Sequence, residues 1–172
     1  PPIKPKYQAS TSLFPPILRR EILDAKARVV RGEHVLVYQT SASNTELLSA
    51  LASLPHEFRV YGYLRPDAPA PPGTPEGDGV RFAKNVLLRK FSEAGFIDDL
   101  ASSRAVVTGG GFTLIGEAVF LGKPIYSVPI EKHFEQIVSA RYLEKLGYGE
   151  HHDAVARDAL DGFLAREKDM AK

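Results

Sequence analysis

The chain has 172 residues, 44% hydrophobic and 25% charged, which suits one globular domain with a core of its own. A formal net charge of +1 gives no electrostatic case for nucleic acid, and the lack of cysteine excludes disulfides and thiol chemistry. No apolar run approaches about 18 residues and no signal peptide is visible, so a cytoplasmic setting is the expectation. The single methionine is Met170, so the chain reads as a piece of a longer protein.

Residues 1–16 hold five of the thirteen prolines and little periodicity, as an extended arm or interdomain linker would. Residues 17–30 place Ile17, Leu18, Ile22 and Leu23 among charges, which predicts a short amphipathic helix ended by Arg31-Gly32-Glu33. We take 1–33 as the arm with its helix and 34–172 as the domain. His34-Val35-Leu36-Val37-Tyr38 is a continuous apolar run, the mark of a buried parallel strand. The hydroxyl-rich loop 39–44 follows, with Ser43 or Asn44 suited to cap a helix over 45–54. Residues 58–63 form a second strand, 65–79 a loop with five prolines and three glycines, 85–91 a third strand, and 97–100 a short helix.

Residues 104–108 make a fourth strand that runs into Gly109-Gly110-Gly111, and a helix is expected over 113–121, stopped by Gly122-Lys123-Pro124. A fifth strand covers 125–129. A helix over 131–145 would put Phe134, Ile137, Val138, Leu143 and Leu146 on its apolar face, and a last amphipathic helix covers 153–168. Strands alternating with helices predict an α/β fold, a Rossmann-like three-layer sandwich with a parallel sheet covered on both faces.

The glycine turn at the end of the fourth strand is the richest feature chemically. A helix N-terminus carries unbonded N–H groups and the positive end of a dipole, and glycines let a phosphate come close to the backbone. Glu117 follows about one and a half turns later. Three glycines alone fit a plain strand-to-helix turn equally well; the spacing is neither a G-x-G-x-x-G fingerprint nor a P-loop. His133, Glu135 and Gln136 cluster just past the fifth strand, at the same sheet edge. Asp98-Asp99 would decorate the first turn of a helix, and His151-His152 lacks a third ligand at a zinc-like spacing. No Ser-His-Asp order or pair of catalytic carboxylates stands out, so no catalytic residue and no metal site are assigned to this chain.

From about Phe91 to Gly149 the sequence resembles the C-terminal, donor-binding domain of GT-B glycosyltransferases, near the peptidoglycan N-acetylglucosaminyltransferase of glycosyltransferase family 28 and related transferases. The resemblance rests on Val106-Val107-Thr108-Gly109-Gly110-Gly111-Phe112-Thr113-Leu114-Ile115-Gly116-Glu117-Ala118, then Leu121-Gly122-Lys123-Pro124, Val128-Pro129, His133-Phe134-Glu135-Gln136, Ala140 and Leu143-Glu144-Lys145-Leu146-Gly147-Tyr148-Gly149. It implies that Gly110, Gly111 and the Phe112 backbone, with Ser41 and Ser43, meet the pyrophosphate of a UDP-sugar. Glu117 would accept the ribose hydroxyls, the backbone at Lys90 and Phe91 would hold uracil, and Glu135, Gln136 and His133 would face the donor sugar. This chain has Gly109 where many relatives carry histidine, and Glu135-Gln136 where the peptidoglycan enzyme has two glutamines.

In that family the acceptor site and the base lie in an N-terminal domain. The resemblance therefore implies transfer of a hexose or N-acetylhexosamine from a UDP-sugar, with no separate cofactor and no metal, by a protein of which this chain is the donor half. Its partner would be the missing acceptor domain or a partner subunit, with a membrane-associated acceptor and peripheral membrane attachment through that half. The last helix would pack back across the cleft, and the chain alone would transfer nothing. The competing expectations are a UDP-sugar 2-epimerase-like domain and a non-catalytic subunit of a split transferase.

Overall fold

The computed structural model describes residues 12, 14–39, 45–64 and 79–170. In chain order these hold α1 (Arg20–Ala25), β1 (His34–Tyr38), α2 (Thr45–Ala52), β2 (Glu57–Tyr61), β3 (Val80–Ala83), β4 (Val86–Leu88), α3 (Glu93–Ser102), β5 (Ala105–Thr108), α4 (Phe112–Phe120), β6 (Ile125–Ser127), α5 (Phe134–Lys145), β7 (Gly149–His151) and α6 (Arg157–Arg166). The strands form one seven-stranded sheet ordered β3-β4-β2-β1-β5-β6-β7, with every pairing parallel except β3 on β4.

The alternation along β1 explains why helices cover both faces. Val35 and Val37 point to a core shared with Leu47, Leu48 and Leu51 of α2 and Leu160, Phe163 and Leu164 of α6. Leu36 points the other way, to Ile22 of α1, Ile97 and Leu100 of α3, Ile115 and Ala118 of α4, and Leu143 of α5. The predicted α/β sandwich is therefore present. Two strands escaped the sequence reading, β3 and β7. Each is three or four residues long and lies at a sheet edge, where pairing with a neighbour rather than periodicity decides the state. The third expected strand is shorter than 85–91: β4 ends at Leu88, leaving Phe91 in the connection to α3.

Three further expectations are corrected. Helix α3 begins at Glu93, capped by the Ser92 hydroxyl, which accepts from Gly95 N at 3.1 Å. Asp99 therefore sits past its middle, 3% exposed, instead of decorating a first turn. Helix α5 buries only Ala140 and Leu143; Phe134 is 80% exposed, so its apolar residues do not form one inward stripe. Helix α6 lies on its own sheet rather than across a cleft. Glu167, fully buried just after it, is gripped by Arg31 and by Arg104, whose Nε and Nη2 donate to Oε1 and Oε2 at 3.0 Å each.

Lys123, in the turn between α4 and β6, ties down the other layer. Its ammonium donates to the carbonyls of Val30 and Ser103, each at 2.7 Å. Burial, helped by Arg31 and Lys26, pushes its pKa from the ordinary 10.5 down to about 8. Between those values the unfolded chain binds a proton that the folded chain releases, so this group makes stability rise with pH from about 8 upward. Thermal melts from pH 7.5 to 9.5 should show that rise, and Lys123→Met should flatten it. The same variant loses about 1–3 kcal/mol at pH 7, because the buried Ser103 carbonyl is left without a donor.

Among the described residues no helix is long and apolar enough to cross a membrane.

Candidate functional site

Strand register sets the location. Tyr38, Thr108 and Ser127 stand side by side at the C-terminal ends of β1, β5 and β6. Parallel α/β sheets open to ligands at this edge, because successive connections leave to opposite faces there. A cleft of about 400 Å³ occupies it, large enough for a nucleotide-sized ligand. One wall is the β5–α4 turn and the first turns of α4, from Thr108 to Leu114, with Glu117 behind. The aromatic wall is Tyr38, Phe91 and Phe96, and the remaining rim is Glu135, Gln136 and Arg19.

The glycine turn has a different job at each position. Gly110 has φ of 90°, a left-handed conformation that costs other residues about 1–2 kcal/mol. A Cβ there would lie 3.0 Å from the Gln136 carbonyl oxygen and 3.2 Å from the Ser127 hydroxyl, so this glycine is needed to close the turn. Gly111 is the N-cap of α4, with ordinary dihedrals, and a Cβ on it would meet nothing within 4 Å. No side chain caps α4, so its first-turn N–H groups stand at the cleft wall without a side-chain acceptor. Gln136 closes the opposite side: its Oε1 accepts from Ile130 N at 3.0 Å and fixes the β6–α5 loop against the turn.

The aromatic wall is built in layers. Phe96 packs edge-on to Tyr38 at 5.6 Å and to Tyr61 at 5.1 Å, and the half-exposed Phe91 leans on Phe96 at 5.9 Å. Beneath it, Asp99 accepts from Tyr61 Oη at 2.5 Å, from Arg89 Nε at 3.1 Å and from Arg59 Nη1. The His34 ring meets the Asp99 carbonyl at 2.9 Å. Burial, above all, holds the Tyr61 hydroxyl far above its ordinary pKa, so it remains a donor. Arg89 is thus committed to the core, and the short stretch it begins, with Lys90 and Phe91, is anchored to α3 through Asp99.

The structure brings most of the sequence-named residues together. Gly111, Phe112, Glu117, Phe91, Glu135 and Gln136 all line the one cleft. Gly110 is buried and does not line it; Lys90, next to Phe91, and His133, two positions before Glu135, do not line it either. Ser41 and Ser43 fall outside the described residues.

One residue was missed. Arg19, from the segment before α1, reaches into the cleft and grips Glu117 with both arms of its fork: Nε to Oε1 at 2.7 Å and Nη2 to Oε2 at 2.9 Å. Its third nitrogen, Nη1, donates to Glu93 Oε1 at 2.8 Å, bridging the first turn of α3 to α4. The partners are 98 residues apart, and no local pattern could pair them.

Comparison with known proteins bears on the family and the fold. The model of glycosyl transferase family 1 matches residues 3–167. An uncharacterized glycosyltransferase of Methanosarcina mazei is 42% identical over 78 residues, covering 44% of this chain and 20% of that protein. The glycotransferase of kitacinnamycin superposes with a TM-score of 0.55 at 20% identity, over 78% of this chain and 34% of that one. MurG of Acinetobacter baumannii does so at 0.53 and 15%, over 87% and 47%. The chain thus spans between a fifth and about half the length of these proteins. At such identities the superpositions speak for the fold alone, a Rossmann-like domain of the kind from which GT-B glycosyltransferases are built. The family match extends well beyond the glycine-turn segment, from the proline-rich arm to the residue that closes α6, and by it the chain belongs to glycosyl transferase family 1.

Proposed function

We propose that this chain is the donor-binding half of a glycosyltransferase that uses a nucleotide sugar, a UDP-hexose or UDP-N-acetylhexosamine. The carrying observation is the meeting, in one 400 Å³ cleft, of an uncapped helix N-terminus, a buried carboxylate, an aromatic wall and a polar rim. Each suits one part of such a ligand. The first turn of α4 offers N–H groups and a positive dipole end to a diphosphate, which also stabilises that diphosphate as it leaves. Glu117 offers acceptors to the two ribose hydroxyls. The Arg89-Lys90-Phe91 stretch, held by Asp99, offers backbone groups and a ring to the base. Glu135 and Gln136, at the far rim, face the sugar.

On this reading the acceptor and the general base come from another domain or subunit, in keeping with the fraction of its relatives that the chain spans. The test is calorimetric titration of the 172-residue chain with UDP, ADP and UDP-sugars. UDP should bind more tightly than ADP, and Glu117→Gln should weaken it by tenfold or more, since hydrogen bonds to a charged acceptor are lost. A folded protein that binds none of these nucleotides at millimolar concentration contradicts the proposal.

A further inference from the structure

Glu117 is 1% exposed, and burying a carboxylate is costly unless a cation pairs with it. Arg19 is that cation. Its fork engages both carboxylate oxygens at 2.7 and 2.9 Å, and the hydrogen bond with Glu117 is the first cause raising the Arg19 pKa above its ordinary value. A carboxylate offers about four lone-pair sites, and a bidentate guanidinium takes two, so two acceptor sites remain, one on each oxygen. Nη1 adds a third contact, donating to Glu93 Oε1 at 2.8 Å. Pro16 lies against Gly116, whose Cβ position would be 3.1 Å from the proline ring, so the backbone carrying Arg19 is seated on α4.

We propose that Arg19 is a positioning residue for the donor: its fork fixes the Glu117 carboxylate and leaves one acceptor site on each oxygen for a vicinal diol, so that the cleft selects ribonucleotides over deoxyribonucleotides. The inference rests on the reading of the cleft as a nucleotide-sugar site. It assigns a ligand-selecting role to the segment that enters the domain, which otherwise reads as a linker.

The experiment measures binding of UDP and 2′-deoxy-UDP to the full chain and to Arg19→Met and Arg19→Lys, with thermal melts as a control for folding. The unaltered chain should prefer UDP by about tenfold or more, the scale of one hydrogen bond to a charged acceptor. Arg19→Met should bring the two affinities within about twofold of each other. Arg19→Lys keeps a charge without the fork, and should keep part of the preference. If Arg19→Met weakens both ligands equally and keeps their ratio, Arg19 serves the diphosphate or the fold, and the inference is overturned. If Arg19→Met does not fold and Arg19→Lys keeps the full ratio, it is overturned as well. If the unaltered chain binds UDP without preferring it to 2′-deoxy-UDP, this inference fails while the nucleotide reading survives. No binding of either ligand removes both.

Discussion

Replacing Asp99 with alanine is expected to lower stability by about 3 kcal/mol, at the lower end of what removing one partner from a buried ionic cluster costs. The side chain is almost wholly enclosed, and it is the shared acceptor for Arg59, Arg89 and the Tyr61 hydroxyl. Without it two guanidiniums face each other across a buried phenol. Arg59 reaches solvent and can rehydrate, but Arg89 is 18% exposed and cannot do so fully, which keeps the cost from falling lower. For a chain of this length the thermal midpoint should drop by roughly 6–12 °C. Asp99→Asn should recover only part of the loss, because shape returns without charge. Arg89 leads directly into Phe91 at the cleft wall, so nucleotide affinity should fall in whatever fraction still folds. A midpoint unchanged within about 2 °C would mean that the arginines find other acceptors.

The second large effect separates two neighbouring glycines. Gly110→Ala should cost about 1–3 kcal/mol of stability, combining the left-handed conformation with contacts at 3.0 and 3.2 Å against Gln136 and Ser127. Gly111→Ala should change stability by less than about 1 kcal/mol, the scale of exchanging glycine for alanine at an N-cap, since the new methyl meets nothing. Its effect belongs to binding. The open space that would receive the methyl borders the first turn of α4, where the proposed diphosphate sits, and UDP affinity should drop by tenfold or more. Chemical denaturation and calorimetry on the two variants read the two effects independently. Full UDP affinity in Gly111→Ala would move the diphosphate away from this turn.

The two predictions lie at different distances from the sequence. The glycine turn was legible because everything that makes it is local: a β-branched run, three glycines, an apolar helix, and a stop at Gly122-Lys123-Pro124. The alternation of strands and helices was legible for the same reason, and with it the mostly parallel sheet and the strand edge that holds the cleft. Glu117 could be tied to the turn by spacing along one helix. Of the residues gathered by resemblance, Phe91, Gly111, Phe112, Glu117, Glu135 and Gln136 line a single cleft.

Contacts between distant residues were decided elsewhere. Asp98 and Asp99 look alike in sequence, yet α3 turns Asp98 to the surface and Asp99 into the core, and a change of starting residue by a few positions settles which is which. The face of α5 misled because its apolar residues are not all covered by the domain: Ala140 and Leu143 are buried, whereas Val138 and Leu146 line an open apolar groove beside α4. Strands β3 and β7 exist through their pairing with β4 and β6, which composition does not reveal. Arg19 is the sharpest case. Sequence alone determined a parallel α/β fold with an anion-suited turn and a carboxylate behind it. Only the tertiary structure brought a cation from 98 residues away onto that carboxylate, because ion pairing depends on where folded surfaces meet and leaves no trace in local periodicity.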